Sequence, residues 1–196
     1  MTFYGFARGF FRLLFQLKGW KIEGAEKLPP AGPVILAVNH MSFWDPILVG
    51  CSLERQVCYM AKEELFSVPL LGGAIRKLGA FPVKRSRSDT GAIRQAIAIL
   101  KEERVLGLFP EGTRSKTDEM QKGLPGIVLL MDKVKAPIVP IRVYGTKHLL
   151  SQRRGKIGLI VGNPLTPEML KAPEDVENRR EWVTVQIMEA IQSLQK

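Results

Sequence analysis

The stretch Val34–Pro46, VILAVNHMSFWDP, places a short apolar run directly before a polar loop and the start of a helix. Its first residues, Val34–Val38, form the uninterrupted apolar run expected of a fully buried strand. Asp45 followed by Pro46 is typical of a helix start, with aspartate as the N-cap and proline as the first helical residue. The stretch therefore predicts a strand, a corner that carries His40, and a helix.

His40 and Asp45 have a spacing that suits a general base and the carboxylate that orients it. Asp45 can accept a hydrogen bond from one ring nitrogen, fix the tautomer, and leave the other nitrogen free to take a proton from a substrate hydroxyl. The alternative is that His40 only closes the loop and that Asp45 only caps the helix. The spacing by itself favours neither interpretation, because single short motifs also occur without function.

Composition restricts the class of protein. A chain of 196 residues with 45% hydrophobic residues is long enough for one domain with a substantial core. Its net charge of +10 indicates an anionic partner, which can be nucleic acid, a membrane surface or a phosphate-bearing substrate. Cys51 and Cys58 belong to no CxxC pair, so we expect neither a metal site nor a disulfide framework. No apolar run reaches the ~18 residues typical of a membrane-spanning helix.

Residues 1–20 predict an amphipathic helix that anchors the protein to a membrane surface. Arg8 and Arg12 lie on its polar face, and no acidic residue precedes Glu23, which favours attraction to anionic lipid. The alternative is a helix that docks on the protein's own core. The apolar face, at helical spacing, consists of Phe3, Phe6, Phe10, Leu13, Leu14, Leu17 and Trp20, widened by Phe11 and Phe15.

Residues 21–196 predict a single α/β domain, in which a central, mostly parallel or mixed sheet is flanked by helices. Further strands are expected at 57–61, 79–85, 105–109, 137–143 and 156–161, after an edge strand within 20–32, and helices at 46–53, 89–103, from 124, and at 174–194. Active sites of such sheets collect in loops beyond the strand ends. A candidate residue follows each of three predicted strands, namely His40, Arg85 and Glu111. We therefore expect these side chains to surround one opening at the edge of the sheet.

Two loops carry candidate anion ligands. The loop from Pro110 to Gly123 is longer than typical connections, which indicates a function, and a predicted helix begins beside Lys122. The other loop leaves the strand at 79–85 and carries a basic cluster in which Arg85 could hold a phosphate through two hydrogen bonds. The alternative for this cluster is ordinary solvated surface.

Helical segments predicted around 62–66 and 69–78 carry apolar side chains with two possible roles. They either fill the core, the interpretation we favour, or line an apolar groove. They are Phe66, Leu70, Leu71 and Ile75.

In combination, these residues closely resemble the glycerolipid acyltransferase family, which includes the bacterial 1-acyl-glycerol-3-phosphate acyltransferases. The family has four sequence blocks, and this chain matches them in order at Asn39-His40 through Asp45, Gly79–Arg85, Phe109–Ser115 and Val139–Ile141. The combination of the first and third blocks at this separation is highly specific. The resemblance spans roughly residues 24–145.

The resemblance implies transfer of a fatty acyl group from acyl-CoA or acyl carrier protein to the sn-2 hydroxyl of 1-acyl-glycerol-3-phosphate, which gives phosphatidic acid. It implies no cofactor, and a peripheral or monotopic protein at the cytoplasmic face of the cell membrane. His40 and Asp45 would be catalytic. The residues implied to bind substrate are Arg85, Glu111, Gly112, Thr113, Arg114 and Lys122.

Two alternatives stay open. A sister acyltransferase would use glycerol-3-phosphate or another lysolipid as acceptor. A non-enzymatic basic protein that binds membrane surfaces would need only the N-terminal helix and the positive charge, and it would give no reason for the histidine and glutamate blocks to coexist. We expect no nucleic-acid partner, because no stacking-aromatic motif supports one.

Overall fold

The structure is a computed structural model and describes residues 2–84, 89–115, 117, 119–149 and 157–195. Three short 3₁₀ turns, at Ala25–Lys27, Glu63–Ser67 and Thr146–His148, accompany the longer elements. The strands are β1 (Lys21–Glu23), β2 (Val34–Val38), β3 (Val57–Lys62), β4 (Phe81–Val83), β5 (Val105–Leu108), β6 (Ile138–Tyr144) and β7 (Gly158–Val161). The helices are α1 (Phe3–Leu17), α2 (Asp45–Ser52), α3 (Leu71–Lys77), α4 (Thr90–Lys101), α5 (Gly126–Val134) and α6 (Arg179–Ser193).

The described strands form one mixed sheet in the order β1-β7-β6-β2-β5-β3-β4. All neighbours pair in parallel except β6 and β7, which are antiparallel. The α/β class with a mostly parallel central sheet is thereby confirmed, and β1 lies at the edge as expected. Because β2 pairs with β5 on one side and β6 on the other, three parallel strands end beside the loop that carries His40.

Strand β2 is buried on both faces, which explains its uninterrupted apolar sequence. Ile35 and Ala37 belong to a core shared with α4, α5 and α6. Val34, Leu36 and Val38 belong to a second core on the opposite face, together with residues of α1 and α2. The central strand therefore carries the His40 loop on a segment held from both sides.

Two predicted elements differ from the structure. Helix α6 begins at Arg179, capped by the Asn178 side chain, and not near Glu174 as the apolar spacing predicted. The assignment of the 66–75 segment to the core was also wrong: its apolar side chains are partly exposed, and Leu70 is 93% exposed. Parts of this segment pack on each other instead, with Gly72 directly against the Phe66 carbonyl.

Helix α1 docks on the domain through one face. Phe15 is 2% exposed and belongs to the second core, and the Tyr4 hydroxyl donates a hydrogen bond of 3.1 Å to the Gly50 carbonyl in α2. Trp20 is partly buried and stacks on Phe15 at 5.6 Å between ring centroids, so it lies outside the exposed face. Arg8 is partly buried as well, and donates to the Glu54 carbonyl.

The other face of α1 is an apolar surface without cover in the described structure. Its side chains are between 41% and 66% exposed; we call them the exposed stripe, and they are Phe3, Phe6, Phe10, Leu13, Leu14 and Leu17. The docking alternative therefore holds for one face of α1, while the other face is left exposed. No helix among the described residues combines the length and hydropathy needed to cross a bilayer.

Candidate active site

The loop after β2 is organised around the Asp45 carboxylate. Asp45 is fully buried and is the first residue of α2, with Trp44 in the N-cap position, so the prediction of Asp45 as the N-cap was wrong by one residue. Its side chain turns back into the loop, where Oδ2 accepts hydrogen bonds of 2.7 Å from the backbone N–H groups of Met41 and Ser42. The carboxylate thereby fixes the shape of the segment that follows His40.

His40 and Asp45 form the pair that the sequence predicts. The His40 Nδ1 lies 2.8 Å from Asp45 Oδ2, and the histidine is 9% exposed. This contact holds Nδ1 as the protonated nitrogen and leaves Nε2 as the acceptor. Among the described residues, nothing hydrogen-bonds to Nε2, so it is available to a substrate proton.

Thr146, which sequence analysis did not identify, completes the shell around Asp45. It follows β6, is fully buried, and its hydroxyl donates to Asp45 Oδ1. Both carboxylate oxygens are therefore held, one by the loop and the histidine, the other by Thr146. The sequence shows only that Thr146 follows a predicted strand. That position places it at the site only once β6 is known to lie beside β2.

The third sequence block, Phe109–Ser115, is hydrogen-bonded to the backbone of His40. Glu111 is 5% exposed, and its Oε1 accepts from the His40 N–H at 2.7 Å while Oε2 accepts from the Gln121 N–H at 2.9 Å. Ser115 N–H donates to the His40 carbonyl at 2.8 Å. The carboxylate of Glu111 is therefore engaged by backbone, and the long loop is tied to His40 at two points. The sequence alone does not indicate this function of Glu111 and Ser115.

Asn39 fixes the end of β2 against β6. Its side-chain carbonyl accepts from the Val143 N–H at 2.6 Å, and its amide donates to the Val143 carbonyl at 3.0 Å. These two hydrogen bonds reproduce the backbone pairing between neighbouring strands, so they fix the residue before His40 to β6.

The structure places the other candidate substrate ligands differently. Gly112 has a positive φ of 72°, and a Cβ there would lie 2.6 Å from Leu124, so this turn requires glycine. Thr113 and Arg114 are exposed. Lys122 is not aimed at the histidine pair: its Nζ lies 2.5 Å from Glu181 Oε1 on α6. Arg85 lies outside the described residues.

Known proteins are similar to this chain over most of its length. The model of the family described as Acyltransferase matches residues 19–144. The 1-acyl-sn-glycerol-3-phosphate acyltransferase of Bacillus subtilis is 35% identical over 167 residues, which cover 83% of this chain and 82% of the relative. The enzyme of the same name from Streptococcus pneumoniae is 33% identical over 185 residues, 88% of this chain and 66% of the relative.

A solved structure has the same fold. The crystal structure of the 1-acyl-sn-glycerophosphate acyltransferase PlsC from Thermotoga maritima superposes with a TM-score of 0.73 at 24% sequence identity. The match covers 98% of this chain and 80% of that one. The sheet and the N-terminal helix described above are therefore part of a fold seen in a solved structure.

Proposed function

Because the chain belongs to the acyltransferase family, we propose that it transfers a fatty acyl group from an acyl thioester to the sn-2 hydroxyl of 1-acyl-glycerol-3-phosphate, which gives phosphatidic acid. The Bacillus subtilis and Streptococcus pneumoniae relatives are named for acyl transfer to this acceptor. The observation that carries the proposal is the 2.8 Å contact of His40 Nδ1 with Asp45 Oδ2, placed at the carboxyl end of a central strand.

His40 acts first as a general base. A hydroxyl is a poor nucleophile, so Nε2 removes the proton of the acceptor hydroxyl as its oxygen attacks the thioester carbonyl. The imidazolium that forms is stabilised by the Asp45 carboxylate, which Thr146 and the loop amides hold in place. Motion of the carboxylate is thereby restricted before the substrate arrives.

The same histidine then acts as an acid. The tetrahedral intermediate collapses, the new ester C–O bond is retained, the C–S bond breaks, and Nε2 returns its proton to the departing thiolate. The reaction needs no acyl-enzyme and no resident cofactor, because the thioester already supplies an activated acyl group. Acyl-CoA and acyl carrier protein both carry that thioester, and both are candidate donors.

The phosphate of the acceptor requires cationic ligands. We assign this role to Arg85 and to the exposed Arg114, because a guanidinium can bind phosphate through two parallel hydrogen bonds. Gly112 and Thr113 shape the turn that presents Arg114. Lys122 contributes only if it leaves Glu181, so we give it a smaller part than the sequence suggested.

The membrane supplies the acceptor and takes up the product. The exposed stripe of α1 can enter the acyl boundary of a bilayer, and the net charge of +10 favours anionic lipid. This supports a peripheral or monotopic protein at the cytoplasmic face of the cell membrane, with lysophosphatidic acid drawn from that leaflet.

A panel assay tests the proposal. The purified protein is offered lysophosphatidic acid, glycerol-3-phosphate and lysophosphatidylcholine, each with oleoyl-CoA and with oleoyl acyl carrier protein, and products are separated by mass. We expect phosphatidic acid from lysophosphatidic acid as the dominant product with at least one donor. Acylation of glycerol-3-phosphate or of the choline lysolipid in preference to lysophosphatidic acid would overturn the acceptor assignment.

A further inference from the structure

The imidazole of His40 lies on an aromatic stack that acid-base chemistry alone does not require. The ring centroids of His40 and Phe109 are 3.9 Å apart, with 21° between the ring planes. Phe109 lies in turn against Tyr59, at 5.9 Å and 15°. Both ring pairs are stacked. The three residues come from different segments, so their alignment is a product of the sheet.

A glycine in β5 makes room for this stack. Gly107 pairs in register with Tyr59 of the neighbouring strand β3. A Cβ at position 107 would lie 2.2 Å from Tyr59 Cε1, so any larger residue would displace the ring. Glycine weakens a buried strand, and its presence within a strand often marks such a close approach. The backbone of β5 is therefore adapted to the Tyr59 ring.

Tyr59 contributes to the stack through its ring and not through its hydroxyl. The hydroxyl oxygen is buried and has no hydrogen-bond partner among the described residues. Burial raises the pKa of this phenol well above its usual range, so the group stays neutral. An unpaired buried hydroxyl destabilises a core. What the position contributes is thus the flat apolar surface behind Phe109.

We propose that Phe109, supported by Tyr59, is a positioning residue that fixes the plane of the His40 imidazole and stabilises its protonated form. A single hydrogen bond at Nδ1 sets the direction of the ring but leaves its plane to other contacts, and the Phe109 face supplies that restraint. When Nε2 takes a proton, the same face attracts the imidazolium by a cation–π interaction. The catalytic consequence rests on the proposed acyl transfer, whereas the effect on protonation does not.

The titratable groups around His40 are unchanged by the substitution that tests the proposal. Asp45 of α2 bonds to Nδ1, Glu111 after β5 is bonded to the His40 N–H, and Tyr59 of β3 lies behind Phe109. Replacement of Phe109 by leucine leaves all three groups in place and removes only the π face. The imidazolium then loses a favourable contact, so the histidine releases its proton at lower pH.

NMR titration of ¹⁵N-histidine-labelled protein measures this directly. The chain has two histidines, so His148→Gln assigns the signals. In Phe109→Leu we expect the His40 titration midpoint at lower pH than in the wild type. Phe11→Leu is the matched control, because Phe11 is partly buried like Phe109 and packs against the same core, while its ring contacts are with Phe10, Phe15 and Trp44. We expect it to lower the melting temperature without moving the midpoint.

Kinetics supply the second readout. Phe109→Leu should lower kcat about tenfold with little change in KM for either substrate, and the acidic limb of the pH profile should move to lower pH. Gly107→Ala should reproduce part of this loss by pushing Tyr59, whereas Gly73→Ala, with open space around its Cβ position, should not.

The outcomes separate the two proposals. A folded Phe109→Leu protein with an unchanged His40 midpoint overturns the stack as a positioning device, even if kcat falls. A shifted midpoint in a protein whose wild type transfers no acyl group supports the stack and overturns the proposed function instead.

Discussion

The loop that carries His40 and the exposed stripe of α1 are opposite kinds of functional surface. In the loop, both oxygens of Asp45 and both backbone groups of His40 have partners within the chain. In the stripe, six large apolar side chains are between 41% and 66% exposed in the described structure. The loop is therefore complete before any ligand binds, whereas the stripe is complete only when something covers it. Changes in the loop should affect chemistry alone, and changes in the stripe should affect location alone.

Apart from loss of His40 itself, Asp45→Asn should have the largest effect on the chemistry side of this comparison. The amide keeps the shape of the side chain but lacks the charge that stabilises the imidazolium, and it can present N–H to the loop amides. We expect kcat to fall by about 10⁴-fold. Steady-state assays on detergent-dispersed lysophosphatidic acid measure it, and vesicle binding should stay at the wild-type level. A loss of vesicle binding in a folded Asp45→Asn protein would show that the two surfaces are coupled.

Leu13→Ser combined with Leu17→Ser should have the largest effect on the location side. Each leucine that leaves water contributes about 1.5 kcal/mol, so the double variant should bind anionic vesicles about 100-fold more weakly. Co-sedimentation measures this, with Gln16→Ser as an exposed control on the same helix. Activity on dispersed acceptor should be retained. Equal loss of activity on dispersed and vesicle substrates would mean that the stripe serves the fold.

Deletion of α1 would not test this point cleanly. Phe15 is part of the second core, so its removal opens that core as well as the membrane surface. Substitution of Phe15 should lower the melting temperature, while substitution of Leu13 or Leu17 should not. The contrast between two faces of one helix is thus measurable by thermal unfolding.

Thr146→Val tests whether the hydrogen bond from Thr146 to Asp45 contributes to catalysis. Valine has nearly the same volume but leaves Oδ1 without its hydroxyl donor. Loss of a hydrogen bond to a charged group corresponds to about 1.5 kcal/mol or more, so we expect kcat to fall about tenfold with KM unchanged. Thr146→Ser, which retains the donor, should restore most of the activity. Equal impairment of the serine and valine variants would assign Thr146 to packing.

The sequence predicted local structure better than it predicted long-range partners. The buried strand and the His40 corner follow from short patterns and are confirmed. The contact of Thr146 with Asp45 depends on which strand lies beside β2, and no local pattern contains that information. The Glu181 partner of Lys122 was missed for the same reason, because it comes from a distant helix.

Arg85→Lys should have the smallest effect among these changes. Lysine keeps the charge but loses the planar fork, so the KM for lysophosphatidic acid should rise roughly fivefold while the KM for the acyl donor stays constant. Arg87→Lys is the matched control, because Arg87 belongs to the same basic segment, residues 84–87. A change confined to the donor KM would move Arg85 to the thioester side of the site.

His40→Ala tests the central claim most directly. The variant and the wild type are assayed side by side for phosphatidic acid formed from lysophosphatidic acid and oleoyl-CoA or oleoyl acyl carrier protein, with melting temperature and vesicle binding measured on the same preparations. We predict that the variant melts and binds vesicles like the wild type and forms no phosphatidic acid above the protein-free background. A folded His40→Ala protein that turns over at a rate near that of the wild type would contradict the account.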